Sequence, residues 1–253
     1  MAMKTALLVL FMAILPSAIL NAQSSHAKNI VIVHGAFADG SGWENVYHKL
    51  TRRGYNVTIV QIPLTSLEDD VAATQRAIDR QNGPVVLVGH SYGGVVITQA
   101  GNSSKVVSLV YVAAFLPDIG ETALSLASIL APDPENGILP PDEKGYIYYD
   151  KAKFRSGFAA EQSPQKAGFM YASQSPVSLK GLSTPVTYAA WKTRPTYAIV
   201  ATEDKSIDPG LERTMYKKAN ASITEIKGSH TVFMSNPKAV SAVIAKAAKG
   251  HRK

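Results

Sequence analysis

The chain has no cysteine among its 253 residues. That excludes disulfides, thiolate metal sites, a cysteine nucleophile and a lipid-bearing cysteine. Charge is sparse at 18%, and the basic excess of +7 is scattered rather than gathered in blocks. The one local cluster, Lys246, Lys249, Arg252 and Lys253, reads as a solvated helix end. No nucleic-acid motif accompanies it, so no nucleic-acid partner is expected. Internal repeats are missing too. What is present, 46% apolar residues in a chain of this length, suffices for one large domain with a sizeable core.

The most apolar run, "TALLVLFMAIL" after Lys4, is too short to span a membrane comfortably, is broken by Pro16 and is followed by "ILNAQSS". A charged start, an apolar middle and a small residue at the end make a secretory signal peptide over residues 1–22, cleaved after Ala22. An uncleaved membrane anchor is the alternative. The rest, 23–253, is then one exported domain, periplasmic or secreted, without stable membrane association.

From Asn29 onward, strand and helix signals alternate. "NIVIVHG" is a continuous apolar run ending on Gly, the pattern of a strand buried on both faces. "GWENVYHKLTRRG" has helical spacing, and "YNVTIVQI" is a strand. "SLEDDVAATQRAIDRQNG" is a helix with Ser66 as N-cap and acids in its first turn. Strands "PVVLVG", "VVSLVYVAAF", "PTYAIVAT" and "SITEIKG" follow, with helices after each except the second. The alternation predicts an α/β fold with a mostly parallel sheet covered on both faces.

Residues 116 to about 190 break the rhythm. They hold eight of fourteen prolines and five of eleven tyrosines. The aromatics argue against disorder. The stretch is expected to be a helical cap over the carboxyl edge of the sheet, where open parallel sheets bind ligands.

The most informative segment is "VVLVGHSYGG". A chain that leaves a strand and enters a helix within about three residues places the apex in a strained positive-φ conformation. Gly89 and Gly93, two before and two after Ser91, relieve the crowding. The Ser91 hydroxyl then stands clear at the top of the sheet. The Tyr92 amide sits at a helix start, where N–H groups are unpaired. That is a nucleophile with half an oxyanion hole. The second donor is assigned to the Ala36 amide, in "VIVHGAF" after the first strand.

A serine nucleophile needs a base. His26 lies in the leader region, His48 on a helix surface and His251 in the tail, while His34 and His90 belong to backbone turns. His230, in "IKGSHTVFMSNP" after the last strand, faces the same sheet edge as Ser91. The base needs an acid to orient it. Asp204, just past the strand before that of His230, is favoured by position. Asp118 is the geometric rival, and Glu203 and Asp208 are further candidates, Asp208 being better placed to cap a helix.

Taken together, "HGAFADGSGW", "PLTSLEDDV", "VVLVGHSYGG", "YVAAFLPDIGE", "AAWKTRPTYAIVATEDKSIDP" and "KGSHTVFMSNP" resemble the α/β-hydrolase superfamily, and within it the bacterial relatives of the plant esterase and hydroxynitrile lyase group. The resemblance covers essentially the whole chain after the leader. It implies triad roles for Ser91, Asp204 and His230, and oxyanion amides from Ala36 and Tyr92. It also implies that Phe115, Trp191 and Phe233 lie near the substrate pocket. The fold's usual first two antiparallel strands have no counterpart before Ile30. The lyases of the group carry Thr after the first-strand His and Lys after the catalytic His. Here those positions are Gly35 and Thr231, so the ammonium that would stabilise leaving cyanide is absent.

The expectation is a serine hydrolase of small carboxylic esters, working through an acyl-enzyme without metal or organic cofactor. The alternatives are lyase or C–C cleavage chemistry on the same triad, or a non-catalytic receptor for a small ligand. Recovered from an exporting cell, the mature chain is expected to begin at or near Gln23. Mass spectrometry of the intact protein reads this directly, and Met1 on membrane-bound material would establish the anchor instead.

Overall fold

The computed structural model describes residues 26–250. The expected signal peptide and the last residues of the basic tail lie outside the described residues. The sheet strands are β1 (Asn29–Val33), β2 (Asn56–Val60), β3 (Val85–Ser91), β4 (Val106–Ala114), β7 (Thr196–Ala201) and β8 (Ser222–Ile226). Between them run α1 (Glu44–Thr51), α2 (Leu67–Asp79), α3 (Gly93–Ala100) and α7 (Pro209–Lys218), with α8 (Val232–Ser235) and α9 (Pro237–Ala248) closing the chain.

The six strands form one sheet in the order β2-β1-β3-β4-β7-β8, and every neighbouring pair is parallel. Strand alternation explains why the apolar runs are continuous. Val31, Val33, Leu87, Ala198 and Val200 point into one core layer, with α2, α3 and α7 packed there. Ile30, Ile32, Val86, Val88, Tyr197 and Ile199 point into the other, against α1 and α9. The central strands are buried on both faces, so both sets of side chains are predominantly apolar. Strand order reverses between β1 and β3. Loops leaving those two strands diverge at their carboxyl ends and open a crevice, the usual ligand position in such sheets.

The segment between β4 and β7 covers that crevice. It holds α4 (Ala123–Ala127), α5 (Pro164–Ala172), α6 (Leu179–Ser183) and one π-helical turn at Phe154–Phe158. It is not purely helical as expected. β5 (Tyr146–Ile147) and β6 (Val177–Ser178) pair antiparallel, and Ile138 bridges to Tyr149. The reason is local. Ile147 and Tyr149 are buried while Tyr148 faces out, a period of two that suits a strand. Prolines 132, 134, 140 and 141 deny helix to the loop before it.

Ser66 caps α2 as expected, accepting from the Asp69 amide. One first-turn acid behaves unexpectedly. Asp70 is fully buried, on the same helix face as Leu67, Thr74 and Ile78. Its carboxylate accepts from the Leu64 amide at 2.7 Å and from the Tyr92 hydroxyl at 2.9 Å. It thereby ties α2 to the residue next to Ser91. Burial outweighs both hydrogen bonds and lifts the Asp70 carboxyl from 3.8 to about 6. A value raised on folding stabilises the native state at low pH, and the contribution is lost as pH rises from 3.8 through about 6. Asp70→Asn removes this titration. Urea unfolding should therefore show the variant gaining on wild type between about pH 4 and about pH 7. An unchanged difference across that window would contradict the assignment.

Candidate active site

Ser91 ends β3 and carries φ 53°, the strained apex expected of the turn. The turn is possible because side chains are missing around it. A Cβ on Gly89 would stand 2.5 Å from the Gly93 carbonyl oxygen. A Cβ on Gly93 would meet not Gly89 but the β1 edge, 2.7 Å from the carbonyl oxygens of Val33 and His34. The two glycines therefore serve different contacts, rather than crowding only each other. Position 35 is tighter than its small residue suggested. A Cβ there would lie 2.6 Å from Ser91 Cβ, so Gly35 brings the loop after β1 against the serine.

His230 lies on the loop between β8 and α8. Its Nε2 is 2.8 Å from Ser91 Oγ, and its Nδ1 is 2.6 Å from Asp204 Oδ2. With the proton on Nδ1, the imidazole donates to the carboxylate and accepts from the serine hydroxyl. Asp204 follows β7, and its other oxygen accepts the Ser206 and Ile207 amides at 2.7 and 3.0 Å. All three residues are buried, with Ser91 the least so at 8%. The structure thus joins the three residues that the sequence singled out. Ala36 and Tyr92 border the same cavity as Ser91. Among the described residues neither backbone amide is used in a hydrogen bond.

The rival acids are occupied elsewhere. Asp118 is gripped by Lys192 at 2.5 Å and Lys218 at 3.7 Å, partly in solvent. Glu203 faces Lys227, and Asp208 caps α7 by accepting the Gly210 and Leu211 amides. His34 and His90 are buried, and His90 lies within β3 rather than in the turn expected for it. His34 Nδ1 donates to the Gly35 carbonyl, and Nε2 accepts the Ile62 amide. His90 Nε2 donates to the backbone carbonyl of His230 at 2.9 Å. Burial pushes both rings below the usual histidine range, so both stay neutral. His48 is on the surface beside Glu44.

Of the three expected pocket aromatics, only Phe115 lines the cavity. Trp191 sits off it, its indole N–H donating to the Pro117 carbonyl at 2.8 Å. Phe233 is on the wrong face. One turn beyond His230, α8 swings it into the opposite core layer, where it stacks on Trp43 at 4.3 Å and backs His90 at 4.7 Å. The cap supplies Phe158 instead, 5.1 Å from the His230 ring, with Phe37 and Tyr149 edge-on to it.

Two acids near the relay were not foreseen. Glu161, in the cap, accepts both the amide and the hydroxyl of Ser229, the residue before His230. Glu212 is fully buried on α7, one oxygen accepting the Ala201 amide at 3.2 Å and the other with no partner. Burial, and then the neighbouring Asp204 charge, hold its carboxyl well above the usual range. Both effects favour its protonated form. A signal for Glu212 existed, since it lies one turn from Tyr216 on a helix face that also buries Leu211 and Met215.

The model of the alpha/beta hydrolase family matches residues 30–243, and the chain belongs to that family. A sequence relative, the alpha/beta hydrolase nvfD of Aspergillus novofumigatus, is 28% identical over 242 residues, 87% of this chain and 96% of its own. The pyrethroid hydrolase of Sphingobium wenxiniae is 25% identical over 246 residues, 86% of each chain. Among solved structures, polyneuridine aldehyde esterase superposes with a TM-score of 0.73 at 18% identity, covering 87% of this chain and 98% of that one. The resemblance to plant esterases noted in the sequence therefore extends to the fold.

Proposed function

We propose that the protein is an exported serine hydrolase of carboxylic esters. The observation that carries this reading is the buried relay from Asp204 through His230 to Ser91, with contacts of 2.6 and 2.8 Å. Hydrolase and esterase names among its relatives support it.

Ser91 Oγ attacks the ester carbonyl while His230 Nε2 takes its proton. The tetrahedral oxyanion sits against the Ala36 and Tyr92 amides, which have no partner to give up. His230 then returns the proton to the leaving alcohol, and an acyl group remains on Ser91. Water, deprotonated by His230, attacks the acyl-enzyme and releases the acid. Asp204 holds the imidazole with its proton on Nδ1 throughout, and it stabilises the imidazolium that forms twice per cycle. No step calls on a metal or organic cofactor. Thr231 follows His230 where the lyases carry Lys, and it supplies no positive charge for a leaving cyanide.

Ser91→Ala should lower turnover by about a million-fold, leaving only binding and oxyanion effects. Retention of more than a few per cent of wild-type activity would reject Ser91. The acid is tested by a pair of variants. Asp204→Asn should cost about ten-thousand-fold, because the amide cannot hold the correct tautomer. Asp118→Asn should cost little, since it loses only contacts to Lys192 and Lys218. The opposite ranking in ester turnover would move the acid to Asp118.

A further inference from the structure

We infer that the ester taken by this site is bulky, uncharged and apolar, and that its part remote from the carbonyl rests on the loop between α4 and β5. The inference rests on the hydrolase reading above and narrows it to one kind of small-molecule ester.

Three observations carry it. The first is size. The cavity over Ser91 and His230 measures about 1000 Å³. Sites for drug-sized ligands run from about 300 to 1,000 Å³, so this one stands at their upper limit. A short-chain ester would leave most of it to water.

The second is where apolar surface is exposed. Leu124, Ile129, Leu130, Ile138 and Leu139 all line the cavity, and they are 41% to 59% exposed. They are five of the nine large hydrophobic side chains that the described residues leave exposed. Single exposed apolar residues are ordinary, but a majority gathered at one cavity mouth marks a binding surface. Leu124 stands on α4, and the loop bearing the other four is held in shape. Asp133 accepts the Glu135 amide, Asn136 accepts the Ile138 amide, and the Asn136 side chain donates to the Ser206 carbonyl at 3.2 Å. The Leu139 amide pairs with the Tyr148 carbonyl at 2.9 Å. These bonds and the prolines around them keep the apolar side chains from folding inward, so the surface is preformed and waits for a ligand.

The third is charge. The ionisable residues that line the cavity are Asp133, Asp204, Lys205, Asp208 and His230. Asp204 and His230 belong to the relay, and Asp208 caps α7. Lys205, the one ammonium in that lining, stands 3.9 Å from Asp133. Among the described residues no unmatched cation there awaits a carboxylate or phosphate on the substrate, and burying such a group on the apolar wall would be costly.

The test is a series of p-nitrophenyl esters from acetate to dodecanoate, each below its aggregation limit, with an acyl chain ending in carboxylate as a charged control. Each methylene moved onto apolar wall should raise kcat/KM roughly fourfold until the cavity is filled, as area burial predicts. The charged control should fall far below its uncharged neighbour of equal length. Ile129→Ser and Ile138→Ser are surface changes remote from the relay. Because both line the proposed surface, they should lower kcat/KM for the longest good ester about tenfold, chiefly through KM, and lower that for acetate far less. A flat or falling series with Ser91-dependent acetate turnover overturns the inference while the hydrolase reading stands. So does a loss equal for acetate and long esters in the serine variants. No turnover of any ester, together with no labelling of Ser91 by a fluorophosphonate, overturns the hydrolase reading and this inference with it.

Discussion

Everything at this site depends on how closely backbones can approach around Ser91. The apex φ of 53° is costly for a serine, and it persists because the surroundings allow no other path. β1 presses on Gly93, and the start of α3 presses on Gly89. The chain leaving β4 presses on Gly94, where a Cβ would run into the Phe115 carbonyl oxygen. Three sheet strands and one helix converge without a side chain between them. The hydroxyl is thus presented by rigid elements, and its position needs no loop to close over it.

The electrostatics follow the same economy. Asp204 is buried, yet its carboxylate meets two backbone amides and the imidazole, with the buried acid Glu212 near it. Backbone dipoles and the imidazole hold it, and among the described residues no lysine or arginine pairs with it. His90 anchors the His230 main chain from beneath, and its own burial keeps it from competing for the proton.

Much of this was legible in the chain because it is written in local patterns. Continuous apolar runs announced strands buried on both faces, and the Gly-His-Ser-Tyr-Gly turn announced the apex. Order along the chain placed His230 and Asp204 at one sheet edge, and the structure agrees. What failed to show was whatever depends on side-chain direction. Phe233 lies three residues from His230, yet the turn of α8 sends it through to the other core layer. Trp191 was near in sequence to the acid strand but is tethered to Pro117. Buried acids were half visible. Asp70 and Glu212 sit on apolar helix faces, where a carboxyl must either pair or stay protonated. The pattern shows that a choice must be made, and only the three-dimensional neighbours make it. The β5–β6 ribbon in the cap escaped because a pair of two-residue strands leaves almost no periodicity.

The cap is usually thought of as wall, yet here it also works as scaffolding. Glu161 holds the residue before the base from above, through both the amide and the hydroxyl of Ser229. The Ser206 hydroxyl, two residues past the acid, donates to the Gly157 carbonyl at 2.9 Å, and the Asn136 side chain reaches the Ser206 carbonyl. The loops bearing acid and base are therefore stitched to the same inserted segment. The cap is thus more than a detachable specificity module. A recombinant that grafted a foreign insertion onto this sheet would inherit new pocket walls and, unless it restored those stitches, a slackened relay beneath them.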